Sequence, residues 1–247
     1  MAGDMNPDEV IATIDKYFGD WEKSDNLSRP QYAPVKNLTS AVDSTVIGLE
    51  AENVMLGWKA NKASDLQCDT LDVINSILYN GHAGMFDLNL NQNMKVQYAA
   101  TGFENLNDYS ELLLQGGPKE GQKLEDVRAL MLEQIEKLKK GEFSDDLIPS
   151  VINNMKLRYY TSLQNNKDRA DKFVDSFING IDWKDQVEKL DRISRLTKKD
   201  IVDFANKFFG NNYACVYKRI GEDKNQKKID KPQITAIPTN RDKSSQF

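Results

Sequence analysis

Apolar residues recur along the chain with two spacings, and these spacings divide it into helices and strands. Steps of three and four residues place side chains on one face of a helix, whereas alternation predicts a strand buried on one side. We predict helices at 7–18, 64–79, 124–140, 144–163, 167–177, 183–190 and 197–209, a short helical piece at 85–92, and strands at 45–49, 53–59, 95–103, 109–115 and 213–219.

Several helix ends carry recognisable signals. Asn6 followed by Pro7 is typical of a helix start, and Gly19 is typical of a helix end. Ser144 is a predicted cap for the helix that follows it. Pro149 is unfavourable beyond the first helical turn, so the start of that helix stays open between nearby positions.

The order of these elements indicates the fold class. Strands that are neighbours in sequence, with helices segregated between them, favour an α+β two-layer sandwich with a mostly antiparallel sheet and helices on one face. Residues 23–44 are polar, contain two prolines and are predicted to be a linker. We therefore expect one α/β domain over 45–220, preceded by a separate helix within 1–22 and followed by an extended tail at 221–247.

Composition and charge exclude several classes of function. The 247 residues are 39% hydrophobic and 29% charged, with a net charge of −5. A nucleic-acid-binding protein needs a basic face, so we expect no nucleic-acid partner. No stretch approaches the roughly 20 apolar residues of a membrane helix, so we expect a soluble chain without a membrane segment.

The residues that could carry chemistry are few. The single histidine, His82, lies in a Gly-rich turn with Asp87 as its nearest acid, and a turn or packing role is favoured over metal binding. Cys68 and Cys215 form no CxxC clip and are predicted to be buried thiols. No Ser/His/Asp or Cys/His set can be assembled around one histidine.

Other polar clusters have structural explanations. Asp145 and Asp146 are predicted to favour a helix start, and 116–119 is predicted to be a turn because it lacks a phosphate-loop pattern. The aromatic pair Tyr159 and Tyr160 is predicted to belong to the core or its rim. The acids predicted to lie on a solvated helix face are Glu125, Asp126, Glu133 and Glu136. We therefore predict no catalytic, cofactor-binding or metal-binding residue in this chain.

The first and last predicted helices resemble each other at a constant offset of 191 residues. Glu9-Val10-Ile11 and Lys16-Tyr17-Phe18-Gly19 match Asp200-Ile201-Val202 and Lys207-Phe208-Phe209-Gly210. Two generic amphipathic helices ending in glycine would also match in this way. The alternative is an internal repeat, in which case we expect the natural polypeptide to extend upstream of Met1.

Four segments together resemble the insulinase/pitrilysin type of zinc metallopeptidase, the inverzincins. They are AGDMNPDEVIATIDKYFGDW, ILYNGHAGMFDLNLNQ, LTKKDIVDFANKFFGNNYACVYKRIGED and KPQITAIPTNRDKSSQF. The resemblance covers nearly the whole chain, and the order and spacing of the segments carry it. It implies the metallohydrolase fold shared by LuxS and the mitochondrial processing peptidase.

The catalytic repeat of that family carries an inverted zinc motif, H-x-x-E-H, on a helix. Two histidines four residues apart reach one zinc ion, and the glutamate between them polarises the attacking water. This sequence cannot supply the motif, and Asp72, Asn75 and Ser76 occupy its place in an overlay of the corresponding helix. The resemblance therefore implies a non-catalytic repeat over 45–220, with 1–22 as the terminal helix of the catalytic repeat before it.

The resemblance also implies a function. We expect a non-catalytic domain of a zinc metalloendopeptidase that forms part of the wall of a peptide-degrading chamber and packs on the catalytic repeat. Its partners would be the other domains of the parent and a peptide substrate, and zinc would be bound only by the catalytic repeat. The alternative is a metal-free family member with a structural or partner-binding role. The compartment stays open, with a periplasmic or secreted parent as one option.

Overall fold

The computed structural model describes residues 1–28, 30 and 32–222. The predicted tail therefore lies, beyond Glu222, outside the described residues. Within them there are five strands, seven α-helices and one π-helix. The strands are β1 (Val42–Gly48), β2 (Asn53–Ala60), β3 (Tyr98–Glu104), β4 (Ser110–Gly117) and β5 (Ala214–Ile220). The helices are α1 (Pro7–Phe18), α2 (Gln67–Leu78), the π-helix (Asp87–Asn91), α3 (Leu124–Lys140), α4 (Leu147–Ser162), α5 (Asn166–Ile178), α6 (Trp183–Ile193) and α7 (Lys198–Phe208).

The five strands form one sheet in the order β1-β5-β2-β4-β3. Three of its pairings, β2 with β4, β2 with β5 and β3 with β4, are antiparallel. The fourth pairing, between β1 and β5, is parallel. A parallel pair requires a long crossover, and here α2 to α7 and three strands separate β1 from β5 along the chain. The prediction of a mostly antiparallel sheet is thus confirmed.

The two faces of the sheet differ. Along β2 every second residue is buried, from Val54 through Leu56 and Trp58 to Ala60, while the residues between them are half-buried. β4 repeats this alternation, with Leu112 buried and Leu113 half-buried. Because successive side chains of a strand point to opposite faces, one face forms the core and the other stays open.

The helices lie on the core face. α3 packs on β2 and β4, and α2 packs on β3 and β4. α7 contacts both α2 and α3, whereas α4 and α6 contact α2 from outside. The predicted two-layer sandwich with helices on one face is therefore confirmed.

The helix α1 is different from the others because it has no buried residue. Its predicted start is confirmed, since the Asn6 side chain accepts a hydrogen bond from the Asp8 N–H at 3.0 Å. Its match to α7 now has a structural meaning. At the offset of 191 residues, Ile14 corresponds to Ala205 and Phe18 to Phe209. Ala205 and Phe209 are buried, whereas Ile14 and Phe18 are exposed.

Several element boundaries differ from the sequence prediction, among them the starts of α2 at Gln67 and of β3 at Tyr98. β1 begins at Val42, so the last three residues of the predicted linker belong to the sheet. β4 continues through Gly117, because glycine lets the Tyr98 ring lie directly against the backbone; a Cβ there would come within 2.3 Å of that ring. α4 begins at Leu147 rather than after Ser144, which puts Pro149 in the first turn, where proline is tolerated.

Adjacent leucines of β4 provide a matched test of the two faces. Leu112→Ala should lower the free energy of unfolding by about 2–5 kcal/mol, because it opens a cavity in the core. Leu113→Ala removes the same atoms from the open face and should cost clearly less. Urea unfolding followed by circular dichroism measures both values, and equal losses would contradict this assignment of the faces.

Candidate functional site

His82 lies in the turn between α2 and the π-helix, and its side chain is exposed. Its backbone N–H donates to Asn80 Oδ1 at 3.1 Å, and its carbonyl accepts from Gln92 Nε2 at 2.9 Å. Among the described residues, no group of three or more histidine, cysteine, aspartate or glutamate side chains could hold a metal ion. The backbone of His82 therefore takes part in the turn. No set of metal ligands surrounds its side chain in the part of the chain that the structure describes.

The buried carboxylate of Asp87 organises this turn. Asp87 is 5% exposed, and its Oδ2 accepts from the N–H groups of Asn80 at 3.1 Å and Gly84 at 2.9 Å. Asn80 Oδ1 accepts in addition from the N–H of Ala83 at 2.9 Å. Gly84 has no room for a side chain, since a Cβ would lie 2.7 Å from the Leu78 carbonyl oxygen. The turn is consequently rigid and fixes the entry to the π-helix.

The helix that the resemblance overlays on the zinc helix is α2, and its polar residues are engaged in packing. Asp72 forms an ion pair with Lys189 of α6 at 2.8 Å. Asn75 Oδ1 accepts from Thr101 Oγ1 of β3 at 2.7 Å. Ser76 contributes its carbonyl, which accepts from Asn80 Nδ2 at 3.0 Å. The side chains of Asp72 and Asn75 thus tie α2 to α6 and β3.

One turn earlier, Asp69 extends this ion-pair cluster between α2 and α6. Its carboxylate accepts from Arg192 at 2.8 Å and lies 3.7 Å from Lys189 Nζ. Burial by itself lowers the pKa of Lys189, but Asp72 and Asp69 outweigh it, and the pKa of the ammonium is raised. Lys189 is thus held in its charged form between two carboxylates.

The remaining acids that the sequence singled out are exposed, as predicted for Glu125, Asp126, Glu133 and Glu136. Three of them form surface ion pairs, Glu125 with Arg219, Glu133 with Lys137 and Glu136 with Lys139. Such pairs contribute little to stability.

The acids before α4 and the two tyrosines of that helix have structural positions. Asp145 binds Lys198 at 2.7 Å, and Asp146 is the residue before the first turn of α4. The rings of Tyr159 and Tyr160 meet edge to face at 5.6 Å. Tyr160 is 61% exposed, so this pair lies at the rim and not in the core.

Both cysteines are free and buried, as predicted. The Cys68 thiol lies 3.4 Å from the Lys62 carbonyl oxygen and 3.8 Å from Ser110 Oγ. Burial raises the pKa of Cys68 and that of Cys215 above the ordinary thiol value. Thiols in this state are poor nucleophiles.

A concave surface lies on the open face of the sheet. It encloses a cavity of about 800 Å³. Its floor is apolar and is formed by side chains of the three central strands. The floor residues are Met55, Gly57, Leu113, Ala214 and Val216. We call this surface the open-face groove.

A segment of the predicted linker forms one wall of the open-face groove. Lys59 Nζ donates to the Val35 carbonyl at 2.6 Å and to Asn37 Oδ1 at 3.0 Å. Lys59 is the direct cross-strand partner of Glu111, but its ammonium reaches the linker instead. No described basic group lies within 4 Å of the Glu111 carboxylate. The groove therefore combines an apolar floor with a carboxylate that has no ion-pair partner in the described chain.

Sequence reasoning did not identify this groove. The sequence analysis does not single out Lys59 or Glu111, because the pairing of two residues across a sheet cannot be read from one sequence. The feature of the sequence that could have indicated the groove is the polar linker, because it is long enough to cross the open face.

The fold is a two-layer α/β sandwich with one open sheet face. A family model described as "Peptidase M16 inactive domain" matches residues 1–155. The match covers more than half of the chain, and the chain belongs to this family. The predicted resemblance to a zinc metallopeptidase family is confirmed.

The individual relatives are distant. The chain is 24% identical over 215 residues to "Zinc protease PqqE" of Helicobacter pylori, covering 85% of this chain and 48% of that protein. Its fold is similar to a solved protease from Helicobacter pylori, with a TM-score of 0.82 at 22% identity, over 88% of this chain and 54% of that one. It is also similar to an M16 peptidase inactive domain from Pseudomonas fluorescens, with a TM-score of 0.73 at 12% identity, over 87% and 52%.

Two further facts concern the length of the chain and the character of its helices. The chain spans about half the length of the relatives that it matches. In the part of the chain that the structure describes, none of the helices has the length and apolar character that crossing a membrane requires.

The carboxylate of Asp87 gives the first prediction for this region. Asp87→Ala leaves the N–H groups of Asn80 and Gly84 without their acceptor, and it should lower the free energy of unfolding by about 1–3 kcal/mol. The control Asp126→Ala removes an exposed carboxylate and should cost only about 0.5 kcal/mol. Chemical unfolding of both variants decides the point, and equal losses would show that Asp87 does not hold the turn.

Zinc titration gives the second prediction. Isothermal titration calorimetry of the chain with zinc should show no tight stoichiometric binding, because His82 has no partner ligand among the described residues. His82→Ala should give the same titration curve. Stoichiometric binding that this substitution abolishes would show that His82 is a metal ligand.

Proposed function

We propose that this chain is the non-catalytic repeat of an M16-type zinc metalloendopeptidase and that its open-face groove forms part of the wall of the peptide chamber. In this proposal zinc and the H-x-x-E-H motif belong to a catalytic repeat of the parent. The observation that carries the proposal is an uncovered apolar sheet face in a domain of the inactive-domain family.

The groove has properties suited to an extended peptide. Met55, Leu113 and Val216 offer an apolar floor that tolerates many side chains. Two of the acids that line the groove, Glu111 and Asp108, offer carboxylates for a basic group or an amino terminus. A cavity of about 800 Å³ is within the usual range for binding sites. Such a surface holds a substrate without reacting with it, which is the task of a chamber wall.

The polar residues of α2 support the non-catalytic assignment. In the family resemblance this helix corresponds to the zinc helix, and here Asp72 and Asn75 are bound to Lys189 and Thr101. A catalytic repeat would need these positions to converge on a metal. This chain instead uses them to fix α2 against α6 and β3.

The exposed helix α1 supports the domain arrangement that the resemblance implied. Its residues Ile14 and Phe18 correspond to the buried Ala205 of α7 and the buried Phe209 that follows α7, and in this chain Ile14 and Phe18 are exposed. An apolar helix face of this kind needs a partner surface. We propose that α1 completes the helical layer of the catalytic repeat, that residues 23–41 link the two repeats, and that the α/β domain begins with β1.

Peptide binding to the 247-residue chain tests the role of the groove. A fluorescently labelled, unstructured peptide with alternating apolar residues and one lysine should bind, with its affinity measured by fluorescence anisotropy. Leu113→Arg puts an unpaired charge into the apolar floor and should weaken binding at least about tenfold. The control Leu157→Arg changes an exposed leucine of α4 and should leave binding unchanged.

Two results would contradict the proposal. Equal affinities of the two variants would show that the peptide binds elsewhere. Peptide hydrolysis by this chain alone, abolished by a chelator, would show that it is itself catalytic. If a parent polypeptide lacks H-x-x-E-H in its preceding repeat, the domain would instead serve a metal-free structural subunit.

A further inference from the structure

The two edge strands of the sheet, β3 and β1, differ in whether their outward backbone groups have hydrogen-bond partners among the described residues. At the β3 edge the Asn91 side chain pairs with the backbone of Ala99, donating to its carbonyl and accepting from its N–H, both at 2.8 Å. The Asn91 amide thus makes the two hydrogen bonds that a residue of a neighbouring strand would make, and it prevents another strand from pairing with β3 at Ala99. The other edge strand, β1, has no such cover among the described residues.

The hydrogen bonds of β1 show which of its backbone groups are free. The Val42 N–H donates to the Tyr213 carbonyl at 3.0 Å, and the Gly48 carbonyl accepts from the Gly221 N–H at 3.1 Å. In a strand, the N–H and C=O of one residue point to the same side, and the side alternates along the chain. Residues 42, 44, 46 and 48 therefore face β5, while Asp43, Thr45 and Ile47 present their N–H and C=O groups outward.

The side chains of β1 do not protect this edge. Monomeric proteins commonly block an edge strand with lysine, proline or a bulge, and β1 has none of these. Val46 is 47% exposed and Ile47 is 54% exposed. The one charged residue of the strand, Asp43, is paired with Arg128 of α3 at 2.7 Å. β1 is thus a largely uncharged edge, and three of its residues present backbone groups that have no partner among the described residues.

We propose that β1 pairs with β1 of a second copy of this chain, in an antiparallel arrangement centred on Thr45. This interface goes beyond the proposed function. The strand is complementary to itself in this register, because Thr45 faces Thr45 and Asp43 faces Ile47 of the other copy. No like charges face each other, and the β-branched residues suit cross-strand packing. The outward N–H and C=O groups of the two strands bond each other across a two-fold axis.

The bond between Asp43 and Arg128 prepares the strand for this pairing. Burial by itself lowers the pKa of Arg128, but hydrogen bonds with Tyr213, Tyr217 and Asp43 outweigh it and raise the pKa. Arg128 stays charged, neutralises Asp43 and holds β1 against α3. The edge strand is therefore already ordered before a partner arrives, which lowers the entropic cost of association.

Sedimentation velocity of the full 247-residue chain over a hundredfold concentration range tests the interface. The chain should pass from monomer to dimer. Thr45→Lys and Thr45→Glu should each raise the dimer dissociation constant at least about tenfold, because like charges then face each other at the two-fold axis. An equimolar mixture of the two variants should restore the dimer, since an ammonium then faces a carboxylate.

Ser44→Lys provides the matched control, because it adds the same charge to β1 at a position that faces Val46 of the other copy. It should dimerise like the parent chain. Amide hydrogen exchange gives a second readout. The amides of Asp43, Thr45 and Ile47 should become protected as concentration rises, while those of Ser44 and Val46 should not change.

Three outcomes would overturn the proposal. A chain that stays monomeric at all concentrations, even if β1 captures an unrelated extended peptide, has no such interface. A dimer that tolerates both Thr45 variants uses another surface. Two monomeric variants whose mixture stays monomeric exclude the pairing centred on Thr45.

Discussion

The register of β2 between β4 and β5 is the constraint on which the rest of the structure depends. Leu56 lies opposite Leu114 on one side and Cys215 on the other, so the core-facing residues of three strands meet in one layer. Trp58 completes that layer, with its ring against Phe209 and Tyr213 and its Nε1 donating to the Gly210 carbonyl at 3.1 Å. A slip by one residue would move every one of these side chains to the open face. The same register therefore builds the core and defines the open-face groove.

The polar residues of the helical layer are bound by partners within the fold. Asp69 and Asp72 of α2 are bound by Arg192 and Lys189 of α6, and these cations supply positive charge where two carboxylates would otherwise repel each other. Partly buried charges are tolerated only when they are paired in this way. The buried carboxylate of Asp87 is also paired within the fold, because it accepts hydrogen bonds from backbone N–H groups of the turn. These polar residues thus stabilise the fold.

Three surfaces that have no partner among the described residues are the ones that we propose to make contacts. The open-face groove, the exposed face of α1 and the outer edge of β1 lie on different elements, so they can be occupied independently. Membership of the M16 inactive-domain family fits a chain whose surfaces serve contacts with other domains, with peptides or with a second copy. The groove and α1 concern the proposed chamber, whereas β1 concerns association between copies.

Local patterns in the sequence determined the type and order of the elements. The alternation of β2, the three-and-four spacing of α3 and the Asn6-Pro7 start of α1 are encoded by neighbouring residues, so they could be predicted without a partner. The absence of H-x-x-E-H was equally readable. The tertiary structure alone decided which face of the sheet stays open, that Lys59 reaches Val35 instead of Glu111, and that Asn91 closes one edge while β1 leaves the other free. These features join residues far apart in the chain, and their pairing is set by the packing of whole elements, which no local spacing records.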